Sequence, residues 1–114
     1  MWTIGMPAGA GEPDRMTMRV SPAVSFAPAN LVVRATIAAN DENRSIVIIA
    51  ESPEFYRSSE IQLDGARAPR STMFEFRSLP SGVYEVKATL RGSGGEERAA
   101  VRQQVNVMAS GGTN

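Results

Sequence analysis

The chain has 114 residues, with 12 Lys and Arg balanced by 12 Asp and Glu, and contains neither Cys nor His. That length suits one domain with one core, and a net charge of zero excludes field-driven attachment to nucleic acid or an anionic membrane. The missing Cys excludes disulfides and thiolate nucleophiles, and the missing His removes the usual general base and the usual transition-metal ligand.

The N-terminal stretch Met1 to Ala10 has no basic region and no long apolar core, yet it ends in Ala8-Gly9-Ala10. That small-x-small string is the pattern of a signal-peptidase site and predicts the tail of an export signal, hence an extracytoplasmic setting: periplasmic, secreted or cell-surface. Residues 1–14 are Gly-, Pro- and Ala-rich and read as a flexible tail, as do residues 109–114. No window reaches the ~18 apolar residues of a membrane-spanning helix, so no membrane insertion is expected.

Between the tails, residues 15–108 form a series of short patterned segments. Arg15 to Val20 alternates Met16, Met18 and Val20 with Thr17 and Arg19, and Ser21-Pro22 interrupts it. Proline cannot donate to a ladder, so this is an edge strand that leaves or switches sheets. Leu31 to Ala38 puts Leu31, Val33, Ala35 and Ile37 on one face, a half-buried strand. Asn40 to Asn43 is a polar turn. Ser45 to Ala50 is a continuous β-branched run, read as a central strand.

Past the Pro53 break, Tyr56 to Leu63 is a strand closed by Asp64-Gly65, and Ala66 to Arg70 is loop. Ser71 to Phe76 is the next strand, with Phe74 and Phe76 on one face. Val83 to Leu90 sends Tyr84, Val86, Ala88 and Leu90 inward. Gly92 to Gly95 is a hairpin loop, and Ala99 to Val107 returns with Val101, Val105 and Val107 inward. Gln103 falls on that inward face and breaks the pattern. The sum is about seven strands, which predicts an all-β, antiparallel, immunoglobulin-like sandwich.

The string Leu79-Pro80-Ser81-Gly82-Val83-Tyr84-Glu85-Val86 resembles the turn that opens the penultimate strand of fibronectin type III domains. The same Leu-Pro-x-Gly-x-Tyr spacing is similar to transthyretin-like modules of the kind found as regulatory domains of carboxypeptidases. The fibronectin type III resemblance implies a tyrosine corner at Tyr84, built with Leu79 and Pro80, whose hydroxyl bonds backbone upstream. Either resemblance implies a non-catalytic module for adhesion, spacing or ligand display.

Candidate chemistry is sparse. Gly92-Ser93-Gly94-Gly95 lacks the Gly-Lys-Ser/Thr ending of a phosphate loop and precedes a strand, so a hairpin with contact residues Ser93 and Gly94 is the reading. Asp41-Glu42-Asn43 offers too few oxygens for calcium without Glu12, Asp14, Glu96 or Glu97, and reads as a solvated turn. Asn43-Arg44-Ser45 is a formal glycosylation acceptor. Phe55-Tyr56-Arg57 combines aromatics with a guanidinium after a break, as recognition surfaces do.

No cofactor, metal or catalytic residue is predicted, and the chain is not expected to be an enzyme. Its expected role is protein interaction or spacing, with another protein as partner. A carbohydrate-binding module and a transthyretin-like accessory domain of an enzyme system are the alternatives. Far-UV circular dichroism is expected to give a β spectrum; a helical double minimum would overturn the fold class.

Overall fold

The computed structural model describes residues 15–109. The expectations for residues 1–14 and 110–114 lie outside the described residues.

Eight strands run in chain order: β1 Met16–Ser21, β2 Val24–Phe26, β3 Ala29–Ile37, β4 Ser45–Ser52, β5 Phe55–Gln62, β6 Ser71–Leu79, β7 Gly82–Arg91 and β8 Glu97–Met108. They form two sheets, β1-β3-β6 and β2-β8-β7-β4-β5. A short 3-10 turn at Gly65–Arg67 interrupts the loop before β6. No helix among the described residues is long and apolar enough to cross a membrane.

Period-two alternation places the core. Leu31, Val33, Ala35 and Ile37 of β3 are all buried, as are Ile46, Ile48 and Ala50 of β4 and Tyr84, Val86, Ala88 and Leu90 of β7. Each Leu or Ile so buried contributes about 1.5–3 kcal/mol. Phe74 and Phe76 of β6 meet edge to face with centroids 4.9 Å apart. The continuous apolar run of β4 is explained by its neighbours. β5 and β7 flank it, and its outward Val47 and Ile49 are half covered.

Two expectations need correction. There are eight strands in place of seven, and the larger sheet is not wholly antiparallel, because β2 runs parallel to β8. β2 escaped sequence reading because its three residues lie between Pro22 and Pro28, too short to display a period. The Ser21-Pro22 break is where the chain passes from the smaller sheet to the larger one.

Gln103, the flaw in the β8 pattern, has a structural use. The Val20 amide donates to its Oε1 at 2.9 Å, and its Nε2 donates to the Val20 carbonyl at 2.9 Å. Val20 lies on β1, at the end of the smaller sheet, and β2 covers β8 only from Asn106 to Met108. Gln103 therefore ties two free edges together across the sandwich, as an edge-strand backbone requires. On the other side, Arg57 of edge strand β5 donates to the Arg77 carbonyl of edge strand β6 at 2.9 Å.

Replacing Gln103 with Ala leaves the Val20 amide and carbonyl without their side-chain partner. Chemical denaturation is expected to show a loss of about 1–3 kcal/mol; an unchanged midpoint would remove Gln103 from this role.

Candidate functional site

Tyr84 sits fully buried on β7, and its hydroxyl donates to the Pro80 carbonyl at 2.7 Å. The turn before it is held in place from outside. Ser78 adopts a left-handed backbone (φ 59°), and its amide donates to Asn30 Oδ1 at 3.0 Å. The pairing of β3 with β6 shifts register at this point, which turns Leu79 into the core with no exposed surface. Burial pushes the Tyr84 phenol above its ordinary range, and a Ser52 hydrogen bond and the Arg57 charge offset this in part.

Strand alternation places Tyr56 on the opposite side of β5 from Phe55 and Arg57. Phe55 is half-buried, edge-on to Tyr84 with centroids 6.1 Å apart. Arg57 lies over the Phe55 ring, 5.1 Å from its centroid, while it joins the two sheet edges. Tyr56 faces the outer side of the sheet, 58% exposed, and Arg57 is exposed at the sheet edge.

Ser93 and Gly94 lie at the other end of the sandwich. β4 pairs Ser45 with Arg91 at that end and Glu51 with Glu85 near Phe55. Six residues of strand put the two groups about 20 Å apart. The loop is tethered locally: Ser93 Oγ donates to Glu42 Oε1 at 2.8 Å, and the Gly94 amide donates to Glu96 Oε1 at 2.9 Å.

The polar turn also departs from its sequence reading. Asn43 is completely buried. Its Nδ2 donates to the Ala38 carbonyl at 3.0 Å, and its Oδ1 accepts from Arg98 at 3.2 Å. Arg44 donates to the Asp41 carbonyl. Asn43 is a structural plug, and its amide nitrogen is not presented for glycosylation in the folded chain.

The arrangement that sequence reading missed is on the outer face of the larger sheet. A concave patch of about 440 Å³ is lined by Glu51, Ser52, Val83, Glu85, Arg102 and Gln104, among others. Glu51 of β4 stands directly opposite Glu85 of β7, and Tyr56 of β5 directly opposite Glu51. Glu85 has an ion pair with Arg102 at 3.5 Å, both more than half exposed, and Arg102 stands opposite Lys87 in the next row, so two cations adjoin the acidic pair and offset it in part.

Beside this patch, Val24, Phe26, Val83 and Met108 are all exposed. Their registers put them together: Val24 and Val83 both pair with Asn106, and Phe26 pairs with Met108. The signal in the sequence was faint. Val83 is the outward residue before Tyr84, and Val24 and Phe26 flank Ser25 in an unrecognised strand.

No family model matches the chain, and no curated protein matches it in sequence. Solved structures share its fold. A superoxide reductase (neelaredoxin) from Ignicoccus hospitalis aligns at TM-score 0.59 with 14% identity, over 82% of this chain and 80% of that one. A variant of the same reductase aligns at TM-score 0.59 over 79% of its length. A family 76 glycoside hydrolase from a bovine Bacteroides thetaiotaomicron strain aligns at TM-score 0.58 and 16% identity, over 81% of this chain but 20% of the hydrolase.

These neighbours correct the sequence reading in two respects. None is described as fibronectin type III or transthyretin-like, so the resemblance drawn from Leu79 to Val86 does not identify a family. The string encodes a buried tyrosine on a tight turn, a local solution that a two-sheet fold of another family can use equally well. Two of the neighbours are enzymes over most of their length. The step from fold to a non-catalytic binding or spacing module therefore fails, and so does the conclusion that the chain is not an enzyme, because one fold hosts unrelated functions. The accessory-domain alternative rested on the transthyretin-like resemblance and falls with it, and the carbohydrate-binding alternative is set aside as another non-catalytic module. At these identities the likeness is one of fold.

Tyr84→Phe removes the bond to Pro80 and is expected to cost about 1 kcal/mol at neutral pH. The phenol is raised in the folded state, so its contribution is complete below the unfolded value of about 10 and is lost as pH climbs through the folded value. Urea melts across alkaline pH are expected to show a steeper fall for wild type than for Tyr84→Phe. Parallel curves would rule out a perturbed Tyr84.

Proposed function

We propose that another protein chain binds against the outer face of the five-stranded sheet. The observation that carries this reading is the acidic pair Glu51 and Glu85 beside the exposed Val24, Phe26, Val83 and Met108. Like charges directly opposite across a sheet oppose folding, and a cation brought by a partner adds to the partial relief that Lys87 and Arg102 give. Exposed apolar side chains clustered beside such a pair form the water-excluding part of a contact surface. The partner that fits presents an apolar patch flanked by Lys or Arg. Tyr56 at the rim adds a large, stiff contact residue.

We also infer an immunoglobulin-like strand arrangement. In support of it, β1, β3 and β6 stand where strands A, B and E of such domains stand, and β4, β7 and β8 where C, F and G stand.

The activity of the superoxide reductases is not carried over to this chain. The likeness is one of fold, and the sequence lacks the imidazole and thiolate groups that commonly hold redox-active transition metals.

The test uses a photo-crosslinking residue at position 83 or, for comparison, at position 36 on the other sheet, in the source cells. Protein adducts are expected from position 83 only, and Glu51→Lys with Glu85→Lys is expected to remove them. Adducts of the same kind from both positions, or adducts indifferent to charge reversal, would reject this face.

A further inference from the structure

The smaller sheet carries the opposite charge anomaly. Arg19 of β1 is directly opposite Arg34 of β3, and both are exposed on its outer face. Directly opposed side chains stand about 5 Å apart at Cβ, close enough for the two guanidinium groups to repel. Arg15, Arg44, Arg57, Arg77, Arg91 and Arg98 each donate a side-chain hydrogen bond within the protein. Arg19 and Arg34, like Arg67 and Arg70 of the loop before β6, make no side-chain hydrogen bond and no ion pair among the described residues, but only Arg19 and Arg34 are paired across strands. The single carboxylate on β1, β3 and β6 is Glu75, one row from Arg34, where it makes an exposed ion pair with Arg77 at 2.9 Å.

Met73, 56% exposed, stands opposite Arg34 on β6 and completes that row. The next row of the same face is Thr17, Thr36 and Ser71, three hydroxyl side chains in register across the sheet. Hydroxyls donate to anionic oxygen without adding charge. Two planar guanidinium forks on neighbouring strands can present paired N–H donors to the oxygens of a tetrahedral oxyanion, which a pair of ammonium groups would meet only as point charges.

We propose that Arg19 and Arg34, with the hydroxyl row beside them, bind a sulfate- or phosphate-type oxyanion. The site is on the smaller sheet and is independent of the protein-contact face on the larger one. The free ion and a polymer carrying the same group share this chemistry.

The probes are inorganic phosphate, inorganic sulfate and heparin, titrated into the full chain while the arginine Nε–Hε signals are followed by NMR. Saturable shifts are expected at Arg19 and Arg34, with binding about tenfold weaker in Arg19→Gln or Arg34→Gln and absent in the double variant. Saturation by the inorganic ions identifies a site for the free anion, and saturation by heparin alone identifies one for a polymer-borne group. Equal shifts in wild type and double variant, shifts spread over the other arginines, or titrations that never saturate would overturn the proposal.

Melting temperature supplies a second readout. At low salt, Arg19→Gln is expected to melt higher than wild type, and the gap is expected to close as salt screens the pair. A lower melting temperature for Arg19→Gln at low salt would show that the pair is not an uncompensated one. Phosphate and sulfate stabilise folded proteins in general, so the site's contribution is the excess over the double variant.

Discussion

The contact between the two inner sheet faces is the interaction on which the rest of the molecule depends. There are no cysteines, so no covalent tie limits how far the sheets can part. One shared layer of side chains supplies the cohesion, with Leu31 and Val33 from the smaller sheet and Ile46, Ile48, Tyr84 and Val86 from the larger. Tyr84 is the largest fully buried side chain in that layer, and its hydroxyl reaches back to Pro80. A polar atom at the end of a buried ring needs such a partner, and the turn from Leu79 to Gly82 provides it.

An open sandwich also has to close its sides. Neither side is closed by a shared strand; each is bridged by a side chain. Gln103 completes the hydrogen bonding of Val20 on one side, and Arg57 reaches the Arg77 carbonyl on the other. These residues look misplaced or merely surface-exposed in a hydrophobicity pattern. In the folded chain they cover edge backbone that would otherwise be free to pair with another molecule.

With the inner faces committed to cohesion, the outer faces carry what distinguishes this protein from others of its fold. One face opposes Glu51 to Glu85 and the other opposes Arg19 to Arg34. Both pairs break the same cross-strand rule, as does Lys87 opposite Arg102 in the row beside the acidic pair. Departures from local rules of this kind concentrate where a surface has a use beyond folding. The similarity to superoxide reductases makes the complementary point. A shared backbone arrangement transmits no chemistry, and function has to be argued from these surfaces.

The sequence by itself determined the all-β class, the course of β3, β7 and β8, and the inward set around Tyr84, because period-two burial is written locally in each strand. The string from Leu79 to Tyr84 predicted the buried ring and its upstream partner, although it did not identify a family. The tertiary structure alone decided the rest. β2 is three residues long and exists only because Met108 and its neighbours on β8 offer it a ladder. Asn43 reads as a solvated turn residue until the Ala38 carbonyl and Arg98 surround it. Phe55, Tyr56 and Arg57 are adjacent in sequence yet divide among core edge, outer face and sheet edge, since successive strand residues point to opposite sides. Glu51 and Glu85 lie far apart in sequence, as Arg19 and Arg34 do, and they become neighbours only through strand register, which long-range pairing sets and no local pattern encodes.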